Sequence, residues 1–398
     1  MYYKKTPARN ASRSDAGGAK KYLVKKRFIA AVFATGFFIF LGFSFPFSGI
    51  VFEYLPGVSG GTPEKETVWH IKTPNEVRGI YMTSWVASTN SIRQGLVKIA
   101  EDTEINSIII DIKDYTGKIA FLMKNPKVLE VGSSENRVKD MKEFIEELHV
   151  KNIYVIGRIA VFQDPYLAKA RPDLAVKRSD GITNWKDYKG MAWLDPCAKE
   201  VWEYAIAIAR EAESFGFDEL NFDYIRFPSD GNMKDIKYPH CESSLAKPDL
   251  LENFFYNLKK GLSDLSVPIS ADLFGMVATN FDDLNIGQVL ERTEPYFDYL
   301  SPMVYPSHYP KDYNGFANPA TKPYEVIKLS MDSAVKRLLV ASSSPFKLRP
   351  WLQDFDLGAD YDAAMIRKEK QAVYDAGLNS WLLWSPANKY TIGALDKE

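Results

Sequence analysis

A chain of 398 residues, 46% hydrophobic, 14% aromatic and 25% charged, can bury a large core, and this composition excludes a predominantly disordered protein. The formal net charge of −1 conceals an asymmetry, because residues 1–27 carry nine Lys/Arg against Asp15 alone, a formal +8 that leaves −9 on residues 28–398. A net-negative main part has no electrostatic footprint for a phosphate backbone, so nucleic acid is not expected as a partner.

Residues 28–52 contain no charge, and the first 18 of them, 28–45, contain no proline and are rich in Phe, Ile, Ala and Leu. That length spans a hydrocarbon core. The basic cluster at 1–27 is read as a cytoplasmic tail by the positive-inside rule, 28–52 as a transmembrane signal anchor, and the remainder as extracytoplasmic. A cleaved signal peptide is the alternative, although no clear Ala-x-Ala site follows. Residues 53–75, with Pro56, Gly57, Gly60, Gly61, Pro63 and Pro74, read as a linker between membrane and domain.

From residue 76 to 398 the pattern changes to short apolar runs separated by amphipathic stretches. Strands are predicted at 77–83, 107–113, 153–160, 217–223, 268–274, 299–305, 348–354 and 380–384, and helices at 91–102, 138–150, 198–215, 250–265, 284–296, 323–337 and 360–376. Eight strands alternating with helices over this length predict an α/β fold, a (β/α)8 TIM barrel. A doubly wound sheet is disfavoured because the first strand runs into Val-Ala-Ser-Thr-Asn rather than a glycine-rich phosphate loop. Long insertions at 162–195 and 229–249 follow strands three and four, where substrate-binding loops belong.

Cys197 and Cys241 are the only cysteines, and either a bridge or two thiols is compatible with the sequence. The four histidines are scattered with no His-x-x-x-His spacing, so neither a metal nor a cofactor is expected.

Functional residues in a barrel gather at the C-terminal ends of its strands, and four predicted strands end in acids: Asp111, Asp223, Asp272 and Asp354. Period-two alternation places Glu219, Asn221 and Asp223 on one face, and puts Asp111 in step with Ile109, Asp272 with Ser270 and Asp354 with Leu352. A ring of carboxylates with almost no histidine suits glycoside cleavage, which needs two acids around an oxocarbenium-like transition state. Asp223, Asp272 and Asp354 are the candidate catalytic residues. Arg226 could instead pair with Asp223 as a structural bridge. Arg158, in step with Tyr154 and Ile156, brings a positive charge into the barrel that requires a carboxylate partner. Trp85, Tyr305 and Trp384 fall at strand ends as aromatic platforms, and with Asp111, Arg158 and Arg226 they complete the expected substrate-binding set.

Five blocks carry a family resemblance: Val-Arg-Gly-Ile-Tyr at 77–81, Ile-Ile-Ile-Asp-Ile-Lys-Asp at 108–114, Asn-Phe-Asp-Tyr-Ile-Arg-Phe-Pro at 221–228, Pro-Met-Val-Tyr-Pro-Ser-His-Tyr at 302–309 and Arg-Pro-Trp-Leu-Gln-Asp-Phe at 349–355. Over residues 76–395 the chain resembles the Putative glycosyl hydrolase domain family, domain of unknown function 4015. The resemblance implies a glycosidase-like barrel, distantly similar to the α-amylase-like group whose acids close strands four, five and seven, the places of Asp223, Asp272 and Asp354. This chain departs from that group in ending strand five with Asp rather than Glu, and in placing an arginine after Asp223 rather than before it. The expected activity is hydrolysis of a polysaccharide or oligosaccharide by a membrane-anchored enzyme. The alternative is a non-catalytic envelope protein that binds glycan with the same barrel mouth.

Overall fold

The computed structural model describes residues 68–397; the expected tail, the membrane span at 28–52 and most of the linker lie outside them. Among the described residues no helix is long and apolar enough to cross a membrane.

Eight strands form a closed parallel barrel in chain order: β1 (Arg78–Met82), β2 (Ser107–Lys113), β3 (Tyr154–Ala160), β4 (Glu219–Asp223), β5 (Ile269–Phe274), β6 (Tyr299–Met303), β7 (Trp351–Gln353) and β8 (Trp381–Trp384). β8 pairs with β1 through Gly79 and Leu382 and closes the ring. Strands buried on both faces need apolar residues in near-continuous runs, and β2, Ser-Ile-Ile-Ile-Asp-Ile-Lys, is buried throughout. The α-helices are α1 (Ser84–Ala87), α2 (Asn90–Asp102), α3 (Pro126–Val131), α4 (Met141–Val150), α5 (Pro165–Ala170), α6 (Lys199–Glu213), α7 (Lys247–Gly261), α8 (Leu290–Thr293), α9 (Pro323–Val340) and α10 (Ala363–Asp375). Their apolar stripes and the outward faces of the strands enclose the main core, which includes Leu220, Phe222 and Phe254.

The short helices α3 and α5 were not anticipated by periodicity, yet each has a local start signal. Asn125 before Pro126 and Asp164 before Pro165 accept hydrogen bonds from Lys127 N and Leu167 N. The helix predicted at 284–296 is reduced to α8 and one 3-10 turn, Glu294–Tyr296. Its first part is a loop, because Asp282 and Asp283 accept from the backbone N–H groups of Leu284, Asn285 and Gly287, and Leu284 and Asn285 turn left-handed.

The barrel floor is polar and cross-linked by hydrogen bonds. Glu219 accepts from Tyr154 Oη at 3.0 Å and from Arg349 Nη1 at 2.7 Å, and the Arg349 guanidinium lies 3.2 Å from the Tyr299 ring centre. Residues 71 and 73, at the end of the predicted linker, seal this floor: Ile71 N donates to Asp218 Oδ1 at 2.8 Å, and Thr73 Oγ1 is 3.1 Å from Tyr154 Oη.

Candidate active site

The pleat of β3, β4 and β5 delivers Arg158, Asp223 and Asp272 to the same end of the barrel. Arg158 pairs with Asn221 in register and Ala160 with Asp223, so the long arginine side chain reaches toward the strand ends. There its guanidinium holds three carboxylates. Nη1 donates to Asp111 Oδ1 at 2.7 Å, Nη2 donates to Asp223 Oδ2, and Nε lies 3.7 Å from Asp272 Oδ2. All three acids are buried. A desolvated cation is tolerated only among such partners. Burial works against the charge of Arg158, but Asp223 and Asp111 outweigh it and hold its pKa well above the ordinary value.

The two leading acids differ in surroundings. Asp223 uses both oxygens as an acceptor, Oδ2 from Arg158 and Oδ1 from Tyr224 N at 2.5 Å. Tyr224 has φ 53°, the left-handed region that costs a non-glycine residue energy. Asp272 accepts through one oxygen only: Oδ1 takes Trp351 Nε1 at 2.8 Å and Asn221 Nδ2 at 3.0 Å, which leaves Oδ2 to carry a proton. Burial, reinforced by the charge of Asp223, pushes the Asp272 carboxyl up to about 8. Asp223, paired with the Arg158 cation, and Asp272, a carboxyl that keeps its proton at neutral pH, thus stand side by side on adjacent strands.

A cavity of about 250 Å³ opens over this pair and is lined by Arg158, Lys189, Asp223, Arg226, Asp272 and Tyr305, with Trp384 among its other walls. Tyr305 and Trp384 stack with ring centres 5.2 Å apart and planes 28° from parallel, and Phe355 meets the Trp384 ring edge-on at 5.2 Å. Where β5 ends, the Met303 carbonyl oxygen would lie 2.2 Å from a Cβ at position 275, so only glycine lets the two chain segments meet beside the cavity.

Of the residues singled out by sequence, Asp111, Arg158, Asp223, Asp272, Arg226, Tyr305 and Trp384 are brought together. Asp111 sits behind the cavity, bound to Arg158 and to Tyr81 Oη at 2.5 Å.

Two expectations are corrected. Asp354 does not join the acids: its carboxylate accepts from Thr391 N at 2.9 Å and Thr391 Oγ1 at 2.8 Å, fastening the chain after β8. The parity assigned to strand seven was inverted, since Leu352 lies in the outer core and Trp351 in the barrel interior. Trp85 is likewise outside the cavity; it is 64% exposed and stacks on Arg137 at 4.1 Å. The alternative of a structural bridge between Asp223 and Arg226 is not what forms; Asp223 pairs with Arg158.

Tyr81, Asn221, Trp351, Lys189 and His308 belong to the site without having been chosen from the sequence. Asn221 was visible on the polar face of β4, and Tyr81 ends β1 in the same manner as the selected acids.

Cys197 and Cys241 form a disulfide with Cα atoms 5.0 Å apart, joining the segment just before α6 to the second long insertion. Asp195 lies beside both sulfurs, but their bonding to each other leaves no thiolate for a metal.

An eight-stranded parallel barrel with carboxylates gathered at the C-terminal strand ends defines a TIM-barrel protein of the glycoside hydrolase type. The sequence profile of the family described as "Putative glycosyl hydrolase domain" (DUF4015) matches residues 79–390, and the chain belongs to that family. A hypothetical protein from Ruminiclostridium thermocellum ATCC 27405 is 35% identical, with 48% of this chain and 96% of that one covered and a TM-score of 0.44. The PgaB (BpsB) glycoside hydrolase domain from Bordetella bronchiseptica shares the fold with a TM-score of 0.60 at 14% identity, over 81% of this chain and 99% of that one. No curated protein matches the sequence.

Proposed function

We propose that the protein is a membrane-anchored, extracytoplasmic glycoside hydrolase that cleaves O-glycosidic bonds of a polysaccharide with Asp223 and Asp272. The observation that carries this reading is the unequal pair: an acid hydrogen-bonded and ion-paired to Arg158, next to a buried carboxyl pushed up to about 8. Asp272 donates its proton to the glycosidic oxygen as the C–O bond breaks, and Asp223 attacks the anomeric carbon or takes a proton from the attacking water. Arg158 orients Asp223 through their ion pair, and the Tyr305–Trp384 wall offers aromatic surface to the apolar faces of a sugar ring.

Export is supported by the uncharged stretch 28–52 behind a +8 tail and by the Cys197–Cys241 bridge, a pairing typical of oxidising compartments. The test is release of reducing ends from a polysaccharide panel by the full-length protein and its Asp223→Asn and Asp272→Asn variants. Turnover undiminished in Asp223→Asn rejects the assignment. Glycan binding without turnover, abolished by Trp384→Ala and not by Asp223→Asn, selects a binding protein instead.

A further inference from the structure

Arg226 leaves the β4 end two residues after Tyr224, and what it lacks is informative. Its Nη1 donates to Phe227 O at 3.1 Å and Ser229 Oγ at 3.0 Å, and its guanidinium lies 5.0 Å from the Trp193 ring centre and 5.7 Å from that of Tyr224. Among the described residues no carboxylate forms an ion pair with it. Asp223, Asp187 and Asp230 act on it only from beyond contact distance. Asp187 is already occupied, with Oδ1 accepting from the backbone of Lys189 and Met191 and Oδ2 from Trp193 Nε1. Burial between aromatic rings lowers the pKa of Arg226, in contrast to Arg158, whose pKa three contacting acids raise.

Arg226 is half-buried rather than sealed from water, and a guanidinium that faces a cavity with no carboxylate paired to it presents its free N–H edges to an anion there. Here the fork is anchored at one nitrogen, oriented by Trp193, and lines the cavity above Asp223 and Asp272. Lys189, exposed and without an ion pair among the described residues, lines the same cavity. A guanidinium with free N–H edges matches a planar or tetrahedral oxyanion bidentately, and an ammonium nearby adds a point charge.

We propose that the sugar bound beside the Asp223–Asp272 pair carries an oxyanion, a carboxylate or a phosphate ester, and that Arg226 binds it with help from Lys189. The inference rests on the glycoside hydrolase reading of the same cavity and adds the substrate class. It also accounts for a local arrangement that hydroxyl recognition alone does not require: two cations that, among the described residues, have no carboxylate paired to them at the edge of an acidic centre.

The experiment measures binding by titration calorimetry on full-length Asp223→Asn protein. One arm uses oligogalacturonate, oligomannuronate and hyaluronan fragments, each against its carboxyl-reduced counterpart; the second uses sugar 6-phosphate oligosaccharides against their dephosphorylated forms. The expected result is that in one arm the charged form binds at least about tenfold more tightly. Adding Arg226→Gln should bring that ratio to about two, Arg226→Lys should restore part of it, and Lys189→Gln, an exposed change, should lower it less. The arm that responds identifies carboxylate or phosphate.

Equal affinity for charged and neutral forms in both arms, no binding of any charged form, or an unchanged ratio in Arg226→Gln overturns the inference. Turnover by the unsubstituted protein is scored separately. Hydrolysis of neutral glycans without a charged preference removes the inference and leaves the hydrolase reading, whereas charged-selective binding without hydrolysis does the reverse.

Discussion

Arg158 on β3, rather than the nearby Arg226, is the ion-pair partner of Asp223 on β4. The pair sits inside the barrel with Asp111 on the same guanidinium, so Arg158→Met leaves two buried carboxylates without their cation. Loss of one partner of a buried pair costs about 3–5 kcal/mol. Burial already holds the Asp111 carboxyl above its ordinary value against the pull of Arg158, and without that cation it rises further, so the penalty is full at high pH and shrinks as pH falls and the acid takes up a proton. Urea unfolding of Arg158→Met at pH 8 and pH 5 checks this, with the larger deficit expected at pH 8.

Asp272 sets the basic limb of activity. Its proton is required for leaving-group departure, so kcat/KM should fall as pH rises through about 8. Asp272→Asn should lose about 10²–10⁴ in kcat on natural glycosides and far less on dinitrophenyl glycosides, whose leaving group needs no proton. The same shift has a stability sign. A carboxyl raised in the folded state binds its proton there more tightly than in the unfolded chain, so its contribution is complete below about pH 4 and is lost as pH climbs through about 8. Thermal unfolding should therefore show Asp272→Asn gaining on the unsubstituted protein as pH goes from 5 to 9.

Much of this site was legible in the sequence because strand alternation and strand ends are local properties. Asp111, Asp223, Asp272 and Arg158 were reached that way. What failed depended on distant partners or short segments. β7 has only three residues after Pro350, too few alternations to settle which face points inward. Its orientation is revealed instead by Arg349, whose partner Glu219 is 130 residues away. Similarly, Arg226 lies near Asp223 in sequence, but the left-handed turn at Tyr224 carries it to the Trp193 face.

The stacked pair Tyr305 and Trp384 predicts a binding effect. Trp384 retains partial exposure at the cavity and shields one face of Tyr305, so Trp384→Ala removes both a platform and a support. Aromatic contacts of this kind are worth about 0.5–1.5 kcal/mol beyond their buried area. Steady-state kinetics should show KM raised about tenfold with a smaller change in kcat, the opposite of the pattern in Asp272→Asn.

The Cys197–Cys241 bridge closes a loop with a sequence separation of 44 and ties the second insertion to the start of α6. Cross-links over loops of this size stabilise by about 3–4 kcal/mol. Cys197→Ser with Cys241→Ser should unfold at lower urea concentration than the oxidised protein and match the protein treated with dithiothreitol.

At the opposite end of the barrel, Asp218 links the entering chain to the floor. Its Oδ1 accepts from Ile71 N at 2.8 Å, and its Oδ2 from Val155 N at 2.8 Å and lies 2.9 Å from His149 Nε2. Burial alone would raise its pKa, but His149, His70 and the Val155 N–H outweigh it and hold the carboxyl below its ordinary value. A depressed carboxyl stabilises the fold above its unfolded pKa, about 3.9, and that contribution is lost as pH falls through the folded value. Asp218→Asn presents an amide where a carboxylate oxygen received backbone N–H groups, which should cost about 2–4 kcal/mol at pH 7 and less near pH 3. Because Ile71 is one of the donors, amide hydrogen exchange of residues 68–75 should accelerate in the variant while that of β5 and β6 keeps its order, placing the effect at the floor rather than at the Asp223 cavity.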